Sequence, residues 1–139
     1  MSKRIILGLV VMILIVGAGY TAIKYVFRDT EKTVESASTE IRIAAGELLG
    51  AFESDEQKAN ELYLDKIIEV SGRIDSIIED ESYVTLTLKN EGDLSGVLCS
   101  FDKSSISLRD FTTGSTVSIK GQCTGYLLDV VLVRCVLVN

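Results

Sequence analysis

Two long segments of alternating polar and apolar residues constrain the fold of this chain more than any other feature. Each segment has a glycine near its middle, in KIIEVSGRIDSII over 66–78 and in STVSIKGQCTG over 115–125. A period of two over this length predicts a strand with one buried face and one solvent-facing face. A glycine inside such a strand marks a bulge or a bend, which lets a short sheet curl into a barrel. The two segments therefore predict a small closed β-barrel.

The remaining alternation predicts five strands, over 66–78, 82–89, 96–101, 116–125 and 130–138. Strand parity predicts a buried set of Ile68, Val70, Ile74, Val84, Leu86, Val97, Val117 and Ile119, and it places Ile78 on the same face as Ile74. The last strand is apolar on both faces apart from Arg134, so it is predicted to be the most enclosed. Residues 102–113 are predicted to form a short helix or turn that plugs the barrel end with Ile106, Leu108 and Phe111. The resulting order, three strands, this segment and two more strands, is that of the five-stranded OB-fold Greek-key barrel. The predicted fold class is therefore mainly β.

The N-terminus carries an uncharged, apolar run from Ile5 to Ile23. At about 1.5 Å per residue this run is long enough to cross a bilayer core as a helix. Two interpretations remain open, a cleaved signal peptide and an uncleaved signal-anchor, and Gly17 with Ala18 makes only a poor cleavage site. We expect residues 1–28 to be an uncleaved membrane anchor. Basic residues flank both ends almost equally, but the short basic tail favours an extracytoplasmic location for the rest of the chain.

A polar segment over 29–39 reads as a linker, and a helical pattern follows it. Apolar residues recur at three- and four-residue steps at Ile41, Ala45, Leu48, Leu49, Phe52, Ala59, Leu62 and Tyr63. This spacing predicts an amphipathic helix that packs on the barrel. The apolar stripe is interrupted at Ser54, and Ser54 with Gln57 matches a capping box. The pattern therefore fits one bent helix or two short helices. Residues 40–139 are therefore predicted to form one helix-and-barrel domain.

The charge balance disfavours a nucleic-acid partner. Four of the 14 Lys and Arg residues precede Asp29, whereas all 20 Asp and Glu residues lie from Asp29 onward, so this part carries a formal charge of −10. Such a surface repels phosphate backbones, and OB-folds that hold single strands use a basic groove with stacked aromatics. We expect no tight nucleic-acid binding.

The sequence offers little catalytic chemistry. It has no histidine, which removes histidine-dependent triads, histidine general bases and histidine metal sites. The carboxylates Glu79, Asp80 and Glu81 follow no calcium-loop pattern, so they are expected to be a solvated turn and not a metal site. We predict no cofactor, no metal and no enzymatic activity.

Three cysteines lie far apart in the sequence, each on the apolar parity of its strand, at Cys99, Cys123 and Cys135. They could be small core residues, a disulfide or a reactive thiol. If a disulfide forms, Cys99 with Cys135 is the better pair, because the third and fifth strands of an OB barrel are neighbours. Cys123 with Cys135 would be separated by about 10 Å along a tight hairpin, beyond the usual reach of a disulfide.

Several segments resemble the tRNA-anticodon-binding-like OB-fold family of small bacterial exported proteins and lipoproteins. The resemblance covers 43–138 and rests on YVTLTL, VLCSF and the G-x-C-x-G-Y piece from Gly121 to Tyr126, preceded by an N-x-x-Y-x-x-K helix with Asn60, Tyr63 and Lys66. It implies an OB-fold and a location in the cell envelope, and it implies no reaction. The chain departs from the lipoprotein members because no cysteine follows the apolar run.

OB-folds that bind oligomers use the exposed face of strands two and three together with two flanking loops. On this chain that surface would contain Arg73, Tyr83, Thr85, Thr87 and Lys89, with Glu79, Asp80, Glu81 and Tyr126 at its rim. We expect a membrane-anchored module that binds a protein, a peptide or a glycan there. The alternatives are an accessory domain that associates with another membrane protein, and a weak binder of single-stranded nucleic acid. The sequence leaves the oligomeric state open.

Overall fold

A computed structural model describes residues 3–36, 39 and 41–139 of the chain. The chain divides into two compact units, Met1–Thr33 and Val34–Asn139. Positions 1, 2, 37, 38 and 40 lie outside the described residues. They fall in the predicted anchor, in the predicted linker and at the start of the predicted helix-and-barrel domain.

Helix α1 spans Lys3–Ser36 and accounts for the N-terminal unit. Its segment Ile5–Ala22 is, by length and composition, the one candidate for a membrane span within the part of the chain that the structure describes. A signal sequence would have the same properties. The helix continues through 29–36, which the sequence analysis assigns to a linker.

The strands of the second unit close into a barrel. Its helices and strands are β1 Ile41–Ala44, α2 Ala45–Ser54, α3 Glu56–Tyr63, β2 Ile67–Glu79, β3 Tyr83–Leu88, β4 Val97–Asp102, β5 Thr116–Tyr126 and β6 Val130–Leu137. Hydrogen bonding orders the strands β1-β2-β3-β4-β6-β5, and an additional β2–β5 pairing closes β2 to β6 into a ring of five. The five predicted strands are confirmed, each within one residue of its predicted ends.

Strand β2 is the longest strand because it pairs with three others. Residues Ile67 to Arg73 pair antiparallel with β5, and residues Ile74 to Glu79 pair antiparallel with β3. On the edge opposite β5, ahead of the residues that pair with β3, β1 pairs parallel with Ile68 to Ser71. The prediction that the helical stripe begins at Ile41 is therefore wrong: Ile41–Ala44 is a strand, since the backbone of β2 needs hydrogen-bond partners on that edge.

Bulges in β2 and β6 change which of their residues face the core. The β2–β3 register shifts between Ile74 and Ser76, so Asp75 is the extra residue. After this bulge Ile77 packs against the core, whereas Ile78 is 63% exposed, so the predicted inward placement of Ile78 is wrong. One extra residue forces this switch because side chains alternate strictly elsewhere along a strand.

A similar shift occurs in β6, where Arg134 adopts φ 52° opposite the β5 segment between Lys120 and Gln122. One face of β6 is buried, at Val130, Leu132 and Cys135, and the other face is half-buried apart from Arg134. The share of exposed residues is therefore smaller in β6 than in the other four barrel strands, which agrees with the predicted enclosure. The other predicted core residues are buried, except that Val117 is only partly buried.

The helical stripe is divided between two helices that meet at Asp55. The Asp55 carboxylate accepts a hydrogen bond from the Lys58 N–H, 3.1 Å away, and so caps the start of α3. The predicted capping residue, Ser54, is instead the last residue of α2, so that prediction is wrong. Most of the stripe is buried or packed on the core, but Leu62 is 45% exposed.

The two mid-strand glycines give close approaches to neighbouring side chains. A Cβ at Gly72 would lie 2.9 Å from Cβ of Ala45 in α2 and 3.2 Å from Cβ of Leu88. A Cβ at Gly121 would lie 2.7 Å from Sγ of Cys135. Gly121 also faces the β6 bulge, as the sequence suggests, whereas Gly72 mainly makes room for the helix.

The segment between β4 and β5 closes one end of the barrel, as predicted. It forms two short 3₁₀ turns, Lys103–Ser105 and Leu108–Asp110. Phe111 is buried and its ring centroid lies 5.6 Å from that of Phe101 in the core. Leu108 contributes less than expected, because it is 37% exposed.

Candidate binding surface

The outward face of β3 carries the residues that the sequence assigns to a binding surface. Tyr83 is 52% exposed, and Thr85 and Thr87 are half-buried beside it. They alternate with buried residues, since successive side chains of a strand point to opposite faces. The predicted outward placement of these three residues therefore agrees with the structure.

The β2 bulge adds an apolar residue to this face. Ile78 pairs across the strands with Thr85, and Thr85 pairs with Ser100 of β4. Leu98, half-buried, pairs with Thr87 in the same way. The surface thus combines one aromatic ring, two aliphatic side chains and a row of hydroxyls, and we call it the β3 face: Ile78, Tyr83, Thr85, Thr87, Leu98 and Ser100. Sequence reasoning missed Ile78, although two adjacent isoleucines in an amphipathic strand signal that one of them faces solvent.

Arg73 and Lys89 lie together at the far end of β3 from Tyr83. The Lys89 N–H donates to the Arg73 carbonyl over 3.0 Å, and the Arg73 guanidinium lies 3.9 Å from the carboxylate of Glu91. Tyr83 precedes Lys89 by six residues, which is about 20 Å along a strand. The two cations therefore border the β3 face at one end and do not flank the aromatic ring.

Tyr126 does not join this surface. Its ring stacks on Phe52 of α2, with centroids 5.8 Å apart and planes at 26°. Tyr126 pairs with Val130, which pairs with Val97 at the start of β4, whereas Tyr83 pairs with Asp102 at the end of β4. Tyr126 therefore belongs to the packing of α2 on the barrel. The sequence could not show this, because the packing partner lies more than 70 residues away.

Two carboxylates of the acidic turn between β2 and β3, those of Asp80 and Glu79, have partners in the structure. Asp80 accepts hydrogen bonds from the Ser82 and Tyr83 N–H groups, each 2.8 Å long. The donors at Tyr83 and Ser82 lower the pKa of this carboxyl. Glu79 pairs with Lys103, which also donates to the Asp80 carbonyl. Within the described residues no group of His, Cys, Asp or Glu is arranged to hold a metal ion.

The three cysteines are buried free thiols in the structure. Cys99 and Cys135 are neighbours inside the barrel: the hydrogen bond with Cys135 and the burial of Cys99 together hold the pKa of the Cys99 thiol well above its usual value. Burial likewise raises the pKa of Cys123. Neither shift favours a reactive thiolate at neutral pH. The Cys99–Cys135 disulfide stays a prediction for the oxidised protein, which a thiol count on the unreduced chain would test.

A five-stranded closed barrel with this strand order defines the chain as an OB-fold protein. More narrowly, it belongs to the tRNA_anti-like family, whose model matches residues 1–137. No curated protein sequence matches the chain.

Two solved structures illustrate how far the likeness extends. A protein of Klebsiella pneumoniae subsp. pneumoniae, named a "putative nucleic acid-binding lipoprotein", is 21% identical with a TM-score of 0.60 over 71% of this chain and 92% of its own. A structure of the S. pombe Stn1–Ten1 complex is 20% identical with a TM-score of 0.41 over 52% of this chain and 58% of its own. The first likeness shows that the two proteins share a fold.

Proposed function

We propose that this chain is a membrane-tethered OB-fold module of the bacterial cell envelope that binds a protein, a peptide or a glycan through the β3 face. The observation that carries the proposal is the exposure of Tyr83 and Ile78 next to a row of hydroxyl groups. This is the part of the barrel that OB-folds use for oligomeric ligands. An exposed ring beside aliphatic and hydroxyl groups suits an extended chain with apolar and polar groups.

The charges around the β3 face support an uncharged or cationic ligand over a nucleic acid. Glu79, Asp80 and Glu81 lie at one end, and the Arg73 guanidinium at the other end is already close to Glu91. Single-strand binding by OB-folds depends on a basic groove and stacked aromatics. The name of the Klebsiella neighbour raises nucleic acid as the alternative. For this chain we expect binding of single-stranded DNA no tighter than background at physiological salt.

The membrane tether is proposed to be α1, retained in the mature protein with its amino end in the cytoplasm. The length and composition of Ile5–Ala22 support a span, and the name of the Klebsiella lipoprotein agrees with an envelope location. Intact-mass measurement of the membrane fraction tests retention, and a mature start after Ala18 or Gly19 would contradict it. Protease treatment of spheroplasts tests sidedness, and a barrel protected from the protease would reverse the orientation.

We further propose that the module binds without catalysing a reaction. The absence of histidine in the sequence and the raised pKa of the Cys99 and Cys123 thiols leave few groups suited to general-base or nucleophilic roles at neutral pH. Turnover of a bound peptide or glycan by the purified full chain would contradict this.

Photocrosslinking from the β3 face tests the binding proposal directly. The full chain would carry a benzophenone amino acid at Tyr83 in the membranes of growing cells, and the same probe at Asp110 would serve as the control, because Asp110 is exposed in a 3₁₀ turn outside the face. We expect a discrete adduct from position 83 that position 110 does not give. Purified full chain would also be titrated with soluble peptidoglycan fragments and with an oligo-dT strand.

The outcomes separate the candidate functions. The proposal is supported by a discrete adduct from position 83, or by binding of peptidoglycan fragments that becomes weaker in the Ile78→Ser and Tyr83→Ala variants. Submicromolar binding of oligo-dT at physiological salt would replace it with nucleic-acid binding. Identical crosslinking from positions 83 and 110, with no binding of either probe, would rule out the β3 face and favour an accessory domain that meets its partner elsewhere.

A further inference from the structure

A groove runs between α3 and the β5–β6 hairpin, away from the β3 face. Two adjoining depressions of about 610 and 380 Å³ form it, and both are lined by Glu56, Asn60 and Leu64. The hairpin contributes Gly125 and Leu127 to the second depression. A Cβ at Gly125 would lie 3.6 Å from Cδ1 of Leu64, so the leucine side chain rests against the hairpin.

The tip of the hairpin is apolar and exposed. Leu127 and Leu128 are 88% and 79% exposed, at a position where turns ordinarily carry Gly, Asn, Asp or Ser. The tip is also tied in place, because the Gly96 N–H donates to the Asp129 carboxylate over 2.7 Å and the Val130 N–H donates to the Gly96 carbonyl over 3.1 Å. A single exposed leucine is ordinary, but Leu127 lines the same depression as the exposed Leu64, and Leu128 follows it in the chain. Together they form an apolar ridge that the fold of one copy leaves uncovered.

The charged side chains that line the groove are acidic, and its other polar residues, Gln57, Asn60 and Thr124, are neutral. The Lys66 ammonium, which is not part of the lining, donates to the Glu61 carbonyl over 3.4 Å. Glu56 and Glu61 contribute carboxylates, and the described residues that line the two depressions include no lysine or arginine. The part of the chain from Asp29 onward has twice as many acidic as basic residues. This charge repels anionic lipid, nucleic acid and a second copy of the same domain, and it attracts a cationic partner.

We propose that this groove is a docking site for a basic amphipathic helix of a partner protein. Apolar side chains of that helix would cover Leu64, Leu127 and Leu128, and its lysines or arginines would pair with Glu56 and Glu61. An amphipathic helix laid into an apolar groove is a recurrent mode of peptide recognition, with anchors at i, i+4 and i+7. The groove is independent of the β3 face, so it adds a second binding surface to the module.

A pair of matched peptides tests the charge and the shape together. The full chain in phosphatidylcholine nanodiscs would be titrated, by fluorescence anisotropy, with an alanine-based helical peptide of about 18 residues that has leucines at i, i+4 and i+7 and lysines beside them. The second peptide has glutamates in place of the lysines, and empty nanodiscs correct for lipid binding. We expect the lysine peptide to bind at least about tenfold more tightly than the glutamate peptide, and more weakly as salt rises.

Paired variants locate the binding. Leu127→Ser with Leu128→Ser, and separately Glu56→Gln with Glu61→Gln, should each weaken the lysine peptide by about tenfold. Glu81→Gln with Glu91→Gln makes the same change in charge outside the groove and should alter binding by less than about twofold. Tyr83→Ala should leave it unchanged, which distinguishes failure of this site from failure of the β3 face. All of these side chains are exposed, so each variant is expected to fold.

Three results would overturn the proposal. One is equal binding of the two peptides, and another is parent-like binding by both groove variants. The third is a dimer of the parent, seen by sedimentation, that Leu127→Ser with Leu128→Ser abolishes, because the ridge would then belong to a second copy of this chain.

Discussion

The two halves of β2 contain the same kinds of residue, and they expose different ones. In the first half the even-numbered positions Ile68, Val70 and Ile74 are buried. In the second half, which here means the residues after the extra residue Asp75, Ile77 packs on the core and Ile78 is exposed. The first half is a wall of the barrel with partners on both edges, and the second half contributes to a candidate binding surface. A single bulge is therefore sufficient to change which side chains of one strand face the core and which face solvent.

The largest expected effect is the loss of a side chain from the first half. Ile74 is completely buried, so Ile74→Ala should lower the free energy of unfolding by about 2–5 kcal/mol. Urea titration of the full chain in detergent micelles, followed by tyrosine fluorescence, gives the value. A loss below about 0.5 kcal/mol would mean that the first half does not form the wall of the core.

Adding a methyl group to the first half should have a smaller effect. Gly72→Ala places a Cβ 2.9 Å from Cβ of Ala45, and neither the strand nor the helix can move freely, so we expect a loss of about 1–3 kcal/mol. Gly50→Ala in α2 is the matched control, because no atom lies within 4 Å of the added Cβ. Removing that helical glycine should instead stabilise the domain by about 0.5–1 kcal/mol. Equal effects of the two changes would contradict the close packing at Gly72.

The acidic turn that ends the second half should make stability depend on pH. The Tyr83 and Ser82 N–H groups hold the pKa of Asp80 below its usual value in the folded state. The stabilisation is therefore complete above the ordinary aspartate pKa, and it disappears as the pH falls through the lower, folded-state pKa. Melting temperatures between about pH 2 and pH 6 should fall less steeply with acid for Asp80→Asn than for the parent. The exposed neighbour Glu81→Gln is the control, and an unchanged slope for Asp80→Asn would argue against the hydrogen-bonded turn.

The smallest expected effect on stability lies at Ile78. Because this side chain is 63% exposed, Ile78→Ala should change the free energy of unfolding by no more than about 0.5 kcal/mol. The same urea titration used for Ile74→Ala provides the comparison. A similar loss of unfolding free energy for the two variants would mean that Ile78 is part of the core and does not belong to the β3 face.

Strand positions and most of the core followed from the period of two, since each barrel strand contacts the interior on one face. The candidate site was only partly predictable. Tyr83, Thr85 and Thr87 lie in a strand without a bulge, so parity placed them correctly. Ile78 was missed because the adjacent isoleucines Ile77 and Ile78 signal that one of them faces solvent but not which one, and the bulge at Asp75 decides it. Tyr126 was assigned to the rim of the surface, but its ring stacks on Phe52.

The sequence by itself determined the apolar N-terminal helix, the five strands, the excess of acidic residues and the absence of histidine, because each depends on residue type or on local spacing. Only the tertiary structure decided that Ile41–Ala44 is a strand, that Asp75 is an extra residue and that Leu64 meets the β5–β6 hairpin. The physical reason is the same in each case. Backbone groups must be paired and side chains must fit against residues distant in the sequence, and these demands override the local pattern.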